Sequence, residues 1–351
     1  MLIREATQND NLELQALQER CPQGTSLVVS MVNTPDFFAR AKAHDSSKVY
    51  VACEDGHIIG SIACATGMGM VNGQIVPIGY QFQLFTAPER RREGVGRRLF
   101  RFGQDCMMKD GAQVLYGMAM EDNITSIRLL ENEGFSLRCT QIMHCLLVHE
   151  PMEVSDEAGV RNLSRRDLPD VSRLINETWQ DFDLYEPVSA ETLARLVEHT
   201  PGYGLNTLFV LEREGELVAC LGFWDRTEVS RITVMQVPAK MADISLIPGM
   251  ANGVNSPGAG IEPGSTLRHM VLSPIGFKDP EELAVLMRHV NNEALGRRID
   301  QILLISREEG ALLRSLRGFV HIDTKMHVYV KILEEGISKG DRPVFIDGVH
   351  L

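Results

Sequence analysis

The residues best suited to chemistry stand together in one run, Arg91-Arg92-Glu93-Gly94-Val95-Gly96-Arg97-Arg98. Four arginines around two glycines suit an anion, because guanidinium groups offer forked donors and glycine lets a phosphate approach the backbone. Residues Ile78 to Thr86 read as a strand, bracketed by Pro77 and Pro88. Val95, Leu99, Phe102 and Cys106 recur at helical spacing after the glycines, and Gly111 stands where a C-terminal cap would fall. The glycines therefore mark a strand-to-helix turn. Such a turn presents unpaired N–H groups and the positive end of the helix dipole to a guest. A pyrophosphate fits that description.

Two common nucleotide sites are excluded by what the run lacks. A P-loop needs Gly-Lys-Ser/Thr, and Gly96-Arg97-Arg98 stands here. A dinucleotide fingerprint needs a third glycine or alanine, and Leu99 takes that place. The run instead resembles the GNAT acyltransferase superfamily, which carries Arg/Gln-x-x-Gly-x-Gly/Ala after its fourth strand. Arg91-x-x-Gly94-x-Gly96 matches that pattern, and Pro88-Glu89 fits its lead-in. A second family motif follows in order, Asn123-x-x-Ser126-x-x-Leu129 and then Gly134-Phe135.

The resemblance implies an acyl-coenzyme A site. Backbone groups of Leu84, Phe85 and Thr86 would pair with the pantetheine arm as an added strand. Backbone N–H groups of Arg92, Glu93, Gly94, Val95, Gly96 and Arg97, with Arg91 beside them, would hold the pyrophosphate. Asn123 and Ser126 would line the pantetheine arm, and the thioester would lie where the fourth and fifth strands splay. Many family members place a proton-donating tyrosine directly after the position of Leu129. Leu130 stands there in this chain and cannot donate. Substitutes are Tyr80, Tyr116, Glu121 and His144; Tyr80 aligns with a position where some members carry a glutamate. Alternation along the strand would put Tyr80, Phe82, Leu84 and Thr86 on one face. A thiolate is a modest leaving group, so the mechanism can also run without a dedicated acid.

The elements that must position these residues occur twice. Ile3-Arg4 through Asp10 resembles Val160-Arg161 through Asp167, an offset of about 157 residues. Each copy continues into a hairpin, turning at Asp55-Gly56 and at Glu214-Gly215. Later landmarks match at a larger offset: Pro88 with Pro274, and Gly134-Phe135 with Gly318-Phe319. The glycine- and proline-rich stretch Pro248–Gly264 absorbs the difference and is expected to act as a loop or lid. Each half reads strand, helices, hairpin, strand, helix, strand, helix and a closing strand pair. The expected fold is mixed α/β, a mostly antiparallel sheet flanked by helices, as tandem GNAT-like domains over 1–150 and 159–351. The second half lacks the arginine-glycine run. Asp279, Glu281 and Glu282 crowd its corresponding helix start and would repel a pyrophosphate. It is expected to be structural or to help bind the acceptor.

Bulk properties narrow the class. The chain has 351 residues, 44% of them hydrophobic, and a formal charge of -12. An acidic balance disfavours nucleic acid and favours neutral or cationic substrates. Seven scattered cysteines without a CxxC pair fit reduced thiols in the cytoplasm. No signal peptide or membrane span is read, and no metal is expected. The expected activity is N-acetyltransferase chemistry, with acetyl-CoA or another acyl-CoA as co-substrate and the primary amine of a small molecule as acceptor. Alternatives are longer-chain transfer, decarboxylation of an acyl-CoA, or a non-catalytic acyl-CoA sensor. The assembly would be a monomer with pseudo-dimeric halves or a homodimer.

Overall fold

The computed structural model describes residues 1–25, 27–154, 159–237, 262–338 and 340–351. In the first half the chain runs β1 (Leu2–Glu5), α1 (Asn11–Glu19), β2 (Val28–Asn33), β3 (Ser46–Glu54), β4 (His57–Val71) and β5 (Gln74–Thr86). It continues with α2 (Val95–Lys109), β6 (Val114–Met120), α3 (Ile124–Asn132) and β7 (Ser136–Leu147). The second half runs β8 (Val160–Asn162), α4 (Leu168–Trp179), α5 (Ala190–His199), β9 (Leu208–Arg213), β10 (Glu216–Asp225) and β11 (Ser230–Gln236). It ends with β12 (Thr266–Leu267), β13 (His269–Phe277), α6 (Pro280–Gly296), β14 (Gln301–Arg307), α7 (Ala311–Arg314) and β15 (His321–Ile332).

Hairpins follow the turn chemistry. Asp55-Gly56 joins β3 to β4 and Glu214-Gly215 joins β9 to β10, as expected from the sequence. Both central residues have positive φ in each turn, 51° and 84°, then 51° and 82°. Asn72-Gly73 makes a third such turn between β4 and β5, with φ 50° and 80°. That one was overlooked because β5 was expected to begin after Pro77. It begins at Gln74, and Pro77 sits inside it opposite Met68. Pairing of β5 with β6 starts only at Ile78, so the missing proline N–H costs no ladder bond there.

One 12-stranded sheet runs through both halves in the order β1-β3-β4-β5-β6-β15-β7-β14-β13-β10-β9-β8. The closing strand pairs expected in each half are not formed. Each half instead has one long last strand, and the two change places. β15 of the second half lies between β6 and β7 of the first, and β7 lies between β15 and β14 of the second. A smaller sheet repeats the crossing, with β2 paired to β11. The fold is the mixed, mostly antiparallel α/β sheet read from the sequence.

Helix α2 packs on one face of the first-half sheet through Val95, Leu99, Phe100 and Met107, over Ile62 and Leu115. Its buried stripe runs through Gly103 and Met107, leaving Phe102 and Cys106 half-buried. The opposite face is covered by α1 and by the tail segment Val344–Ile346. In the second half, α4 and α6 sandwich the sheet through Val171, Ile175, Leu286 and Val290. All seven cysteines are free. No described helix is long and apolar enough to cross a membrane. Pro248–Gly264, apart from its last three residues, lies outside the described residues.

The repeat detected in the sequence is a repeated clasp. Arg4 donates to both oxygens of Asp10, at 2.8 Å each, and Asp10 accepts the Thr7 N–H at 2.7 Å. Arg161 does the same to Asp167 at 2.7 and 3.0 Å, and Asp167 accepts the Ser164 N–H at 2.8 Å. The Arg4 hydrogen bond lowers Asp10 to about 2, and Arg161 holds Asp167 below the usual carboxylate range.

Two outcomes follow. Asp10 in the unfolded chain titrates near ~3.9. Its contribution to stability is present above that pH and is lost as pH falls through its folded value of about 2. Urea midpoints measured between pH 5 and 2 are expected to fall less steeply in Asp10→Asn than in the parent. Residues 1–150 expressed alone leave the slot between β6 and β7 open. Circular dichroism and gel filtration are expected to show an unfolded or aggregated product, because both strands then expose an unpaired edge.

Candidate active site

The arginine-glycine turn has the backbone that the sequence demands. Gly94 caps α2 with φ 81°, and Arg92 has φ 66°. The first bond of the helix runs from the Arg98 N–H to the Gly94 carbonyl at 3.0 Å. The amides of Val95, Gly96 and Arg97 therefore have no partner within the helix, and no side chain caps them. Gly96 abuts the end of β5, where an added Cβ would lie 3.1 Å from Thr86 Oγ1. The free amides thus open beside the last residue of the strand.

The arginines divide their work. Arg97 and Arg101 donate to the two oxygens of Glu133 at 2.5 and 2.6 Å. Burial disfavours the Glu133 charge, yet Arg101 and Arg97 hold it below the usual carboxylate range. This clamp fixes α2 against the end of α3. Arg90 pairs with Glu54 and Glu93. Arg91 stands beside Cys21, whose thiol burial pushes up. Among the described residues, Arg92 and Arg98 are exposed and have no carboxylate partner.

The neighbouring strands then part. β5 and β6 pair in parallel only from Ile78↔Val114 to Gln81↔Gly117. Beyond that, β5 carries a bulge: Phe82 faces Ala63 and Phe85 faces Ser61, with Gln83 at φ 50°. The extra residue inverts the faces. Tyr80, Phe82 and Phe85 join the core under α1, whereas Leu84 packs on the α2 side. The single face expected for Tyr80, Phe82, Leu84 and Thr86 is therefore corrected, because strict alternation fails at a bulge. β6 keeps to β15 where β5 turns aside, all seven of its residues pairing with that strand. The loop after α1 spans the two open strand ends. Cys21 Sγ contacts the Thr86 carbonyl at 3.4 Å, and the Thr25 hydroxyl bonds the Asp122 carboxylate.

Tyr80 and Tyr116 meet one register step before the opening. Their rings stack at 4.8 Å, and Phe82 stacks on Tyr80 at 4.9 Å. The sequence reading missed their partners, which come from the tail and from the second half. The Tyr80 hydroxyl donates to the His350 carbonyl at 3.0 Å, and Arg40 reaches both groups. The Tyr116 hydroxyl lies 3.3 Å from His350 Nδ1, and His350 Nε2 lies 3.6 Å from Glu186. Burial raises both phenols and drives His350 well below its ordinary value; it takes His44 to about 3. Desolvation, with Asp347 and Asp45 adding repulsion, pushes Glu186 up to about 7, although 40% of its side-chain surface stays open. No local motif marks His350 or Glu186.

The other expected residues lie apart. Leu130 is buried on the α3 side, where a Cβ at Gly117 would meet it at 3.1 Å, so the tyrosines lie across the sheet from it. Glu121 is exposed just past β6, its N–H donating to the Lys325 carbonyl at 2.9 Å. Asn123 caps α3 by accepting the Ser126 N–H at 3.1 Å. His144 pairs with Asp323, seven residues along β15 from the partner of Tyr116, or roughly 23 Å at ~3.3 Å per residue. It does not join the tyrosines. A cavity of about 200 Å³ lies elsewhere again, between α4 and β10, lined by Asp170, Arg173, Glu216 and Lys278. Those charges neutralise one another in pairs, Arg173 with Asp170 and Lys278 with Glu216, and the cavity has no link to the turn.

In the second half the equivalent opening is filled. β13 and β14 pair only from His269↔Gln301 to Val271↔Leu303. Gly348 of the tail packs there, where a Cβ would lie 2.2 Å from the Leu272 carbonyl oxygen. Asp279 caps α6, with Glu281 and Glu282 in its first turn.

Residues 3–137 match the family described as the Acetyltransferase (GNAT) domain, a match that lies within the first half of the chain. No curated protein matches the chain. Among solved structures, N-myristoyltransferase of Saccharomyces cerevisiae with bound myristoyl-CoA shares the fold at TM-score 0.67 and 13% identity, over 94% of this chain and 77% of that one. A GCN5-related N-acetyltransferase from Anabaena variabilis aligns at TM-score 0.55 and 12% identity, over 95% of this chain and 73% of that one. Both likenesses run through the two halves and show a shared fold.

Proposed function

We propose that this protein transfers acetyl, or another short acyl group, from coenzyme A to the primary amine of a small molecule. The observation that carries this reading is the junction of the free amides of Val95–Arg97 with the unpaired edge of β5. A diphosphate docked on the amides would lead its pantetheine arm along Phe82–Thr86, and the thioester would reach the opening at Gln81 and Gly117. The acyl-CoA held by the yeast enzyme of the same fold supports the choice of ligand. Stacked Phe82, Tyr80 and Tyr116 floor the opening and favour a short acyl group.

In the reaction, the neutral amine attacks the thioester carbonyl, the oxyanion collapses, and the thiolate leaves with a proton. The Tyr116 hydroxyl meets His350 at the floor, with Glu186 3.6 Å beyond, and this group would supply the proton that Leu130 cannot. Glu186, Asp347 and Asp45 also favour a cationic amine arriving from the side of the second half. Asp279, Glu281 and Glu282, with the tail seated at the β13–β14 opening, argue against a second coenzyme A site.

Isothermal titration with acetyl-CoA tests the ligand. Gly96→Val drives a side chain against Thr86, and Gly94→Val strains a left-handed turn. The double variant is expected to bind at least about tenfold more weakly, a loss of ~1.4 kcal/mol or more. Unchanged affinity, or none in the parent, would defeat the reading. Thiol release with a panel of amines tests turnover. CO2 from malonyl-CoA would favour decarboxylation, and binding without turnover would favour a sensor.

The group at the floor gives a separate prediction. Activity in the parent is expected to rise with pH through about 7, as Glu186 becomes the carboxylate. Glu186→Gln should abolish that limb, and Tyr116→Phe should lower kcat at least about tenfold while leaving KM for acetyl-CoA unchanged.

A further inference from the structure

A cluster well away from the tyrosines has its own chemistry. His144 of β7 is buried, with 1% of its side chain exposed. It lies between Ser306 of β14 and Asp323 of β15: Nε2 is 2.8 Å from Ser306 Oγ, and Nδ1 is 2.7 Å from Asp323 Oδ1. His321, on the same face of β15, brings its Nδ1 to the same oxygen at 2.7 Å. The two histidine nitrogens and the carboxylate oxygen all lie within 4.8 Å of one another.

Ser306 has one hydrogen and two acceptors in reach, the Arg307 carbonyl at 2.8 Å and His144 Nε2 at 2.8 Å. With that hydrogen on the Arg307 carbonyl, His144 gives its Nε2 hydrogen to Ser306 and turns the Nδ1 lone pair toward Asp323, the tautomer a metal ligand needs.

We propose that His144, His321 and Asp323 bind a divalent transition-metal ion of the zinc class. Two imidazoles and one carboxylate are a common donor set for such an ion, with the remaining position left to water. The side chains of His321 and Asp323 are 31% and 46% exposed, so the ion has a route in from solvent. The second shell is already present, since a liganding histidine ordinarily passes its other N–H to an acceptor, here Ser306. Metal–ligand bonds of ~2.1 Å in a tetrahedron separate donors by roughly 3.3 Å. The two contacts of 2.7 Å would have to open by about half an ångström to seat the ion. The ion would tie β7 of the first half to β15 of the second. Sequence spacing could not show this, because the ligands come from strands far apart in the chain.

The test uses the full-length chain, stripped with a chelator and titrated with Zn2+ and separately with Co2+. One equivalent is expected to bind, cobalt should give the intense visible bands of a low-coordinate site, and zinc should raise the Tm. His321→Ala and Asp323→Asn should each weaken zinc binding at least about tenfold. Ser306→Ala, which removes the second shell alone, should weaken it ~10–100-fold. Failure of the folded parent to bind either ion overturns the proposal. So does zinc affinity unchanged in both His321→Ala and Asp323→Asn, or an NMR-detected proton persisting on His144 Nδ1 at saturating zinc.

Discussion

The structure depends on the pairing of β6 with β15. Seven consecutive residues of β6, Val114 to Met120, are bonded along one edge to a strand from the other half. That pairing pulls β6 straight while the bulge at Gln83 turns β5 aside, so the two part after four paired residues. A sheet that closed there would bury the turn at Gly94 behind a continuous ladder. The open site is thus a product of a distant contact as much as of the local motif.

Local chemistry was legible in the sequence to the extent that it was local. Asp55-Gly56 and Glu214-Gly215 specify their turns through two consecutive positive φ values, and they formed as read. The segment from Arg4 to Asp10 was visible as a repeat because it recurs from Arg161 to Asp167, and the structure adds that each copy closes on an arginine–aspartate pair. The strand exchange was not legible. β15 could pair with either half on its own pattern, and only the whole sheet decides which slot it fills. Alternation along β5 misled for a similar reason, since a bulge is one extra residue with no mark of its own, and Gln83 is not a glycine. His350 and Glu186 reached the tyrosines by tertiary routing, one through the tail and the other through the segment after α4.

The two halves show which features a fold can lose. Both retain the clasp, the hairpin and a helix following the central strand. Only the first retains free amides beside an open strand edge. In the second, acidic residues occupy the helix start, and Gly348 lies against the Leu272 carbonyl where the strands part. The same tail then delivers His350 to the first half, so the element seated in one opening furnishes the floor of the other.

The exchange of last strands also sets an order on synthesis. About 170 residues separate the end of β7 from the start of β15. At ~5–20 residues per second, the ribosome needs roughly ten to thirty seconds to deliver the second after the first. Through that interval the nascent first half carries a gap in its sheet, with β6 and β7 both lacking a neighbour. Chaperone capture is favoured in this window, and the opening between β5 and β6 takes its final form only after β15 has emerged.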